Sequence, residues 1–228
     1  MPTRRSLFAG LASLAAAPAP AAVRPVVIEL FTSQGCSSCP PADALLREMA
    51  ARPEVLPLAF HVTYWDSLGW RDPYSLDLAT TRQRAYQALL RADNIYTPQM
   101  VVDGHIDAVG NDRTEVAAAL RRAMLAQAAG PAVAATVAGN QVAVAIAAGT
   151  GTGRVLLAGY DPEHQTKVGR GENAGHMLTE ANIVRGLTDI GGWAGGELLL
   201  AVARPPGEKL AVLLQSSDGR YLAAQRIG

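Results

Sequence analysis

Cys36 and Cys39 are the two cysteines of this 228-residue chain, and they sit in Gly35-Cys36-Ser37-Ser38-Cys39-Pro40-Pro41. At the mouth of a helix, a three-residue step brings two sulfurs within disulfide reach. It also leaves the first sulfur above the unpaired N–H groups of the first turn, which with the helix dipole favour thiolate over thiol. Such a pair exchanges electrons with other thiols and disulfides and needs no external cofactor, because the sulfurs carry the electrons. Ser37 and Ser38 are placed to donate hydrogen bonds to a Cys36 thiolate. The same spacing also suits metal binding. Reduced sulfurs are soft ligands for Cu(I), and Met100 or His61 would then complete the set.

Strong positioning signals lie on both sides of the pair. The near-continuous apolar run 26–31 reads as a strand buried on both faces, and 41–51 as a helix whose early prolines fall where N–H groups lack partners. Residues 56–64 read as a second central strand, 80–91 as a helix rich in Arg, Gln, Ala and Leu, and 113–127 as a closing helix. Between those helices, Thr97-Pro98 enters an apolar run, and Asp103-Gly104 followed by Ile106-Asp107-Ala108-Val109 makes 98–109 a hairpin. The order is β-α-β, an inserted helical segment, then β-β-α. Gly130-Pro131 breaks the last helix. Beyond it, 133–137, 141–146, 154–160, 197–203, 209–215 and 221–226 read as short strands between Gly-rich turns. The expectation is an α/β domain over 24–129 followed by a small all-β, sandwich-like domain over 131–228. The polar, Gly-rich stretch 166–193 takes no assignment.

These residues carry a family resemblance. Glu29-Leu30-Phe31-Thr32-Ser33-Gln34-Gly35-Cys36 through Asp43 resembles the opening of a bacterial family of secreted thioredoxin-like proteins catalogued as a domain of unknown function. His61-Val62-Thr63-Tyr64-Trp65-Asp66, Gly69-Trp70, Arg82-Gln83-Arg84-Ala85-Tyr86 and Tyr96-Thr97-Pro98-Gln99-Met100 resemble it too. So do Gly171-Glu172-Asn173 and Asn182-Ile183-Val184-Arg185, so the likeness spans nearly the whole chain after the leader. It implies a thioredoxin-like fold for the first domain and leaves activity open. In that superfamily a cis proline packs beside the sulfurs. Pro98 fits the role, an X–Pro bond giving up only about 0.5–1 kcal/mol to be cis. Glu29 is similar to the buried acid that precedes the cysteines in thioredoxins, although its gap to Cys36 is one residue longer. A proton relay from Glu29 to Cys39 is the functional reading, and a hydrogen-bonded acid or one facing out of the sheet is the plain one.

The site expected is therefore Cys36 as attacking and more exposed sulfur, Cys39 as resolving sulfur, Thr97 and Pro98 as the edge that pairs with a partner peptide, and Glu29 as proton carrier. His61, mid-strand with no histidine nearby, reads first as a hydrogen-bonded core residue, and Met100 as core. Trp65 and Trp70 read as a roof over the inserted segment, and His164 and His176 as surface residues. Three functions compete: a thiol–disulfide oxidoreductase acting on a protein or small thiol/disulfide, a Cu(I)-binding or copper-delivery protein, and a non-catalytic binding module whose disulfide is structural.

The chain's N-terminus points to export. Thr3-Arg4-Arg5-Ser6-Leu7-Phe8, a short apolar run and Ala19-Pro20-Ala21 make 1–21 a signal peptide of twin-arginine type, which places the remainder in a bacterial periplasm or outside the cell. Lys and Arg total 20, as do Asp and Glu. Loss of Arg4 and Arg5 with the leader leaves a net charge of −2, with no basic surface for nucleic acid and no segment for membrane insertion. Two cysteines cannot staple a chain of this size, so a hydrophobic core must hold it.

Overall fold

The computed structural model describes residues 24–227. The expected leader, 1–21, lies outside them. Eleven strands and three helices follow in the order β1 (Val26–Thr32), α1 (Pro40–Ala50), β2 (Val55–His61), α2 (Asp77–Leu90), β3 (Gln99–Val102), β4 (Ile106–Val109) and α3 (Arg113–Ala126). Then come β5 (Val133–Ala138), β6 (Gln141–Ile146), β7 (Gly153–Lys167), β8 (Met177–Trp193), β9 (Leu198–Ala203), β10 (Lys209–Gln215) and β11 (Tyr221–Ile227). No helix among the described residues is long and apolar enough to cross a membrane.

The local rules hold where they are strongest. Pro40 and Pro41 open α1, with Cys39 as its N-cap. Asp112 caps α3, its carboxylate accepting from the N–H groups of Thr114 and Glu115 at 2.9 and 3.0 Å, a cap contributing about 1 kcal/mol. Asp103 (φ 53°) and Gly104 (φ 74°) make the left-handed pair that a tight β3–β4 hairpin requires.

The second half of the chain departs from the expected separate domain. Eight strands form one mixed sheet in the order β11-β10-β7-β8-β2-β1-β3-β4, and β5, β6 and β9 form a second, three-stranded sheet. The 166–193 stretch turns out to be mostly strand. It supplies β8, 17 residues long, paired along its length with the 15-residue β7. Strands of that length are uncommon. Here each serves two neighbours: β8 meets β2 in parallel at Ala59–Ile183, and β7 pairs with β10. Register shifts at Val155/Leu156 and Gly159/Tyr160 bend the hairpin, so β10 and β11 fold back over the first half.

Three apolar layers result. One lies between β1–β4 and helices α1 and α3, with Ile28, Leu30, Leu46, Met100 and Leu120. The second fills the opposite face, where Val27, Phe31, Leu58 and Phe60 meet Tyr86 of α2 and Tyr160, Leu213 and Tyr221 of the returning strands. The third joins the far side of β7, β10 and β11 to the small sheet, around Val144, Leu157, Val212 and Trp193. The middle layer draws on both halves of the chain, while the third is built from residues after 131 alone.

Candidate active site

β1 ends at Thr32, and the chain turns through Ser33-Gln34-Gly35 into α1. Cys36 N–H donates to Ser33 O at 3.1 Å, and Cys39 N–H to Cys36 O at 3.2 Å. This tight turn sets Cys36 and Cys39 in a disulfide at the N-terminal end of α1. Ser38 Oγ lies 3.3 Å from Cys36 Sγ, as the dipeptide suggested. Both cysteines are buried, Cys36 with 1 % and Cys39 with 0 % of their surface exposed. The expected contrast between an exposed and a covered sulfur is therefore absent in the oxidised protein.

The cover comes from the β7–β8 connection. Asn173 Nδ2 donates to the carbonyls of Gln34 and Cys36, both at 2.9 Å, and Glu172 Oε2 accepts the N–H of Ser37 at 2.9 Å. That hydrogen bond and the Ser37 hydroxyl hold the Glu172 carboxyl below the usual range. Trp70, with its indole against Gly169 and its Cβ against Gly171, donates to Gln34 Oε1 at 3.1 Å.

The Thr97–Pro98 bond is cis. Two bridges tie this loop to the cysteine turn. Trp65 packs against Gly35 and donates its indole N–H to Thr97 Oγ1 at 2.9 Å. Gly110 N–H donates to Pro98 O at 2.9 Å, and the next residue, Asn111, donates to Ser38 O at 3.3 Å. Cys36, Cys39, Thr97 and Pro98 thus share one end of the molecule.

Glu29 goes elsewhere. Along β1, Ile28 and Leu30 face α1 while Val27 and Phe31 face α2, so alternation turns Glu29 away from the cysteine helix. Fully buried, its carboxylate accepts from Arg82, Tyr86 and Tyr221. Arg82 also donates to Gln215 Oε1 at 3.0 Å, joining β1, α2, β10 and β11. The plain reading of a hydrogen-bonded acid fits this placement, and the relay to Cys39 finds no contact to run through. Met100 packs in the apolar layer under α1 and α3.

The titratable groups under α1 are different ones. His61, at the end of β2, directs Nδ1 at Asp72 Oδ2, 2.7 Å away, with the Tyr74 ring edge-on at 5.6 Å. Asp72 further accepts the N–H groups of Gln34 (2.8 Å) and Tyr74 (2.9 Å). Glu180 of β8 accepts from Gln34 Nε2 at 2.6 Å, and Asp43, one turn into α1, bonds Thr32 Oγ1 at 2.8 Å. Burial, then the nearby Glu180 carboxylate, pushes Asp43 up to about 8. Burial likewise raises Glu180, against the pull of His61 and Gln34. Burial would lower His61, but Asp72, Glu180 and Asp43 outweigh it and raise it to about 9. Asp72 is held low, as His61 and its hydrogen bonds overcome its burial. His61 is thus a bonded core histidine, as first read. Among the described residues no three His, Cys, Asp or Glu side chains are arranged to hold a metal.

Asp43 and Asn173 fall in segments that carry the family resemblance, but neither they nor Asp72 and Glu180 were read as site residues from sequence. Asp43 carried a signal: it falls on the buried stripe of α1 with Ala42, Leu46 and Met49, where an acid is out of place. Asp72 and Glu180 carried none, since only tertiary folding brings them to His61. A cavity of about 380 Å³ lies on the outer face of the small sheet among residues such as Ala143, Leu199 and Ala201. It contains no titratable group.

The fold and site define a mixed α/β protein, rich in strands, with a Cys-x-x-Cys disulfide at a helix N-terminus. Residues 27–215 match the family described as "Protein of unknown function (DUF1223)", and the chain belongs to that family. It is similar to the crystal structure of protein AGR_C_4864 from Agrobacterium tumefaciens, a structural genomics target. Identity is 30 % over 89 % of this chain and 93 % of that one, with a TM-score of 0.74. HBP35 of Porphyromonas gingivalis is similar in fold alone, with 12 % identity over 90 % of this chain and 74 % of that one and a TM-score of 0.57. No curated protein matches this chain significantly.

Proposed function

We propose that the chain is a thiol–disulfide oxidoreductase of the thioredoxin superfamily, exported to the periplasm or beyond the cell. One observation carries the reading: the Cys36–Cys39 disulfide closes the turn at the N-terminal end of α1 and is bridged by Trp65 and Asn111 to the Thr97-Pro98 loop. In the reduced protein, Cys36 thiolate attacks a substrate disulfide. A mixed disulfide forms and one substrate thiolate leaves. Cys39 thiolate then attacks Cys36 Sγ, closing the protein disulfide and releasing the second substrate thiolate. Two electrons pass from protein to substrate, and the reverse sequence oxidises a dithiol. The N-terminal end of α1 favours the thiolate, and the Thr97-Pro98 segment offers backbone to an extended partner. No external cofactor is invoked; the partner is a protein or small thiol or disulfide.

The test is turnover of a fluorescent disulfide peptide with dithiothreitol as electron source. Cys36→Ser should abolish it, and Cys39→Ser should trap the peptide on Cys36 as a mixed disulfide. Activity that survives Cys36→Ser overturns the assignment. A second reading, a binding module with a structural disulfide, draws on the burial of both sulfurs and the clamp made by Glu172 and Asn173. It requires that the disulfide resist dithiol in the folded protein. Copper delivery gains nothing comparable, with His61 committed to Asp72 and Met100 in the core.

A further inference from the structure

Breaking the Cys36–Cys39 bond leaves an electron pair on Cys39 Sγ, in a place closed to solvent. A buried thiolate is costly unless a proton reaches it. The protein must therefore hold a proton on the cysteine side of the sheet, and Glu29 faces the other way.

The groups that face that side converge beneath α1. Asp43 stands one helical turn beyond Cys39, its backbone N–H bonded to Cys39 O at 3.1 Å, so the two side chains share a face of the helix. From the other elements come Thr32 of β1, His61 of β2, Asp72 of the following loop and Glu180 of β8. His61 Nε2 and Glu180 Oε1 lie 4.0 Å apart, and both are buried polar atoms with no hydrogen-bond partner in the structure. They face each other beside the paired atoms Asp72 Oδ2 and Glu180 Oε2. A cavity of about 230 Å³ lined by Pro40, Asp43, Ala44, Arg47 and 177–180 connects Asp43 and Glu180 along the flank of α1. Arg47 and, acting on Glu180, His164 are the further charges near it.

We propose that the buried Asp43–His61–Glu180 cluster is the proton store of the redox pair, handing a proton to Cys39 as the disulfide opens and taking it back as it closes. The inference rests on the oxidoreductase reading. In the opening step a reagent thiolate attacks Cys36 Sγ, forming a reagent–Cys36 disulfide. The Cys36–Cys39 bond breaks, and Cys39 Sγ takes up the cluster's carboxyl proton, leaving a carboxylate. In the closing step that carboxylate removes the proton from Cys39, whose thiolate expels the partner thiolate from Cys36. Electrons come only from the attacking thiol, and the cavity gives the cluster a route to re-equilibrate with solvent. Asp72 keeps its charge and anchors the imidazolium, and the burial that raises Asp43 to about 8 keeps the store loaded at neutral pH, with Glu180 shifted in the same direction.

The experiment is opening of the oxidised full-length protein by excess dithiothreitol from pH 6 to 9.5, quenched by acid and alkylation. Each rate is divided by the concentration of reagent thiolate. The per-thiolate constant should be level up to neutrality and fall at least tenfold between there and pH 9.5, as the pH passes about 8, the first part of the 10²–10⁴-fold loss that removal of a general acid brings. Asp43→Asn should lower the plateau at least tenfold, and Glu180→Gln, on a different element, should displace or remove the fall. A constant that stays flat across the range in the unsubstituted protein overturns the proposal while leaving the oxidoreductase reading intact. So does a fall that both variants retain unchanged. A disulfide that dithiothreitol does not open in the folded protein overturns both.

Discussion

Glu29→Gln separates the structural role of Glu29 from the relay that its place in the sequence suggested. Glu29 is fully buried and Arg82 has 13 % of its side chain exposed. The guanidinium bonds Glu29 Oε1 at 3.0 Å, Tyr86 Oη at 3.1 Å and Tyr221 Oη at 2.8 Å, and lies over the rings of Tyr86 and Phe60. An amide in place of the carboxylate leaves that cation buried without its counter-ion and turns an NH2 group toward its donors. Breaking one partner of a buried pair costs about 3–5 kcal/mol, a third or more of the stability of an ordinary domain. With a urea slope of about 2 kcal/mol per M, the unfolding midpoint should drop by roughly 2 M. The assay is urea unfolding of the oxidised protein, followed by tryptophan fluorescence. Arg82→Met should destabilise as well, and the double variant should recover part of the loss, because it leaves no lone charge. The pH profile of disulfide opening should survive Glu29→Gln. A midpoint shift below about 0.5 M, or loss of that profile in this variant alone, would refute the reasoning and return the relay to Glu29.

Stability should also respond to pH through His61. Its folded value lies above the ordinary 6.5, near 9, so its contribution is fully present below 6.5 and lost as pH rises toward 9. The loss is about 3 kcal/mol at 1.36 kcal/mol per unit, Asp43 works in the same direction up to about 8, and His61→Gln should make the urea midpoint fall less steeply between pH 6.5 and 9.5, leaving only the part that Asp43 carries. Asn173→Ala removes two buried hydrogen bonds from the cysteine turn; it should cost about 1–3 kcal/mol and speed opening of the disulfide by dithiothreitol severalfold, whereas an unchanged rate would show that the clamp does not limit access. Gly104→Ala should lower stability by about 2 kcal/mol or more in a thermal melt, because at φ 74° its Cβ would stand 1.8 Å from Gly219 O.

What could be read without coordinates was local. The apolar run before Cys36, the prolines after Cys39, the Asp103-Gly104 hairpin and the Ala-rich α3 each follow from their own residues, and the elements appeared within a few positions of expectation. The β2 strand ends at His61 rather than at 64, because the backbone past it turns into the 62–76 loop that brings Asp72 back to the imidazole. The pairing of β8 with β2 was not legible. It joins residues more than 100 positions apart through a single registered pair, and the Gly-rich, alternating 177–193 segment gives no sign of which strand it will meet. With that pairing hidden, so were the contacts it creates: Glu180 against Gln34, Asn173 over the cysteine turn, and the middle core that both halves share. Glu29 illustrates a different limit. Its burial was legible from the apolar strand around it, but the face it occupies depends on register, and one residue of register exchanges the two faces of a strand.

The central question is whether the Cys36–Cys39 bond exchanges electrons at a useful potential. The direct measurement is the equilibrium of the purified full-length protein in glutathione and dithiothreitol redox buffers at pH 7, with the fraction oxidised scored by the mass added on alkylation. An oxidoreductase should give a midpoint between about −120 and −270 mV, the span of working dithiol enzymes. A midpoint below about −300 mV, the territory of structural disulfides, would contradict the central claim and assign Cys36 and Cys39 to holding the turn together.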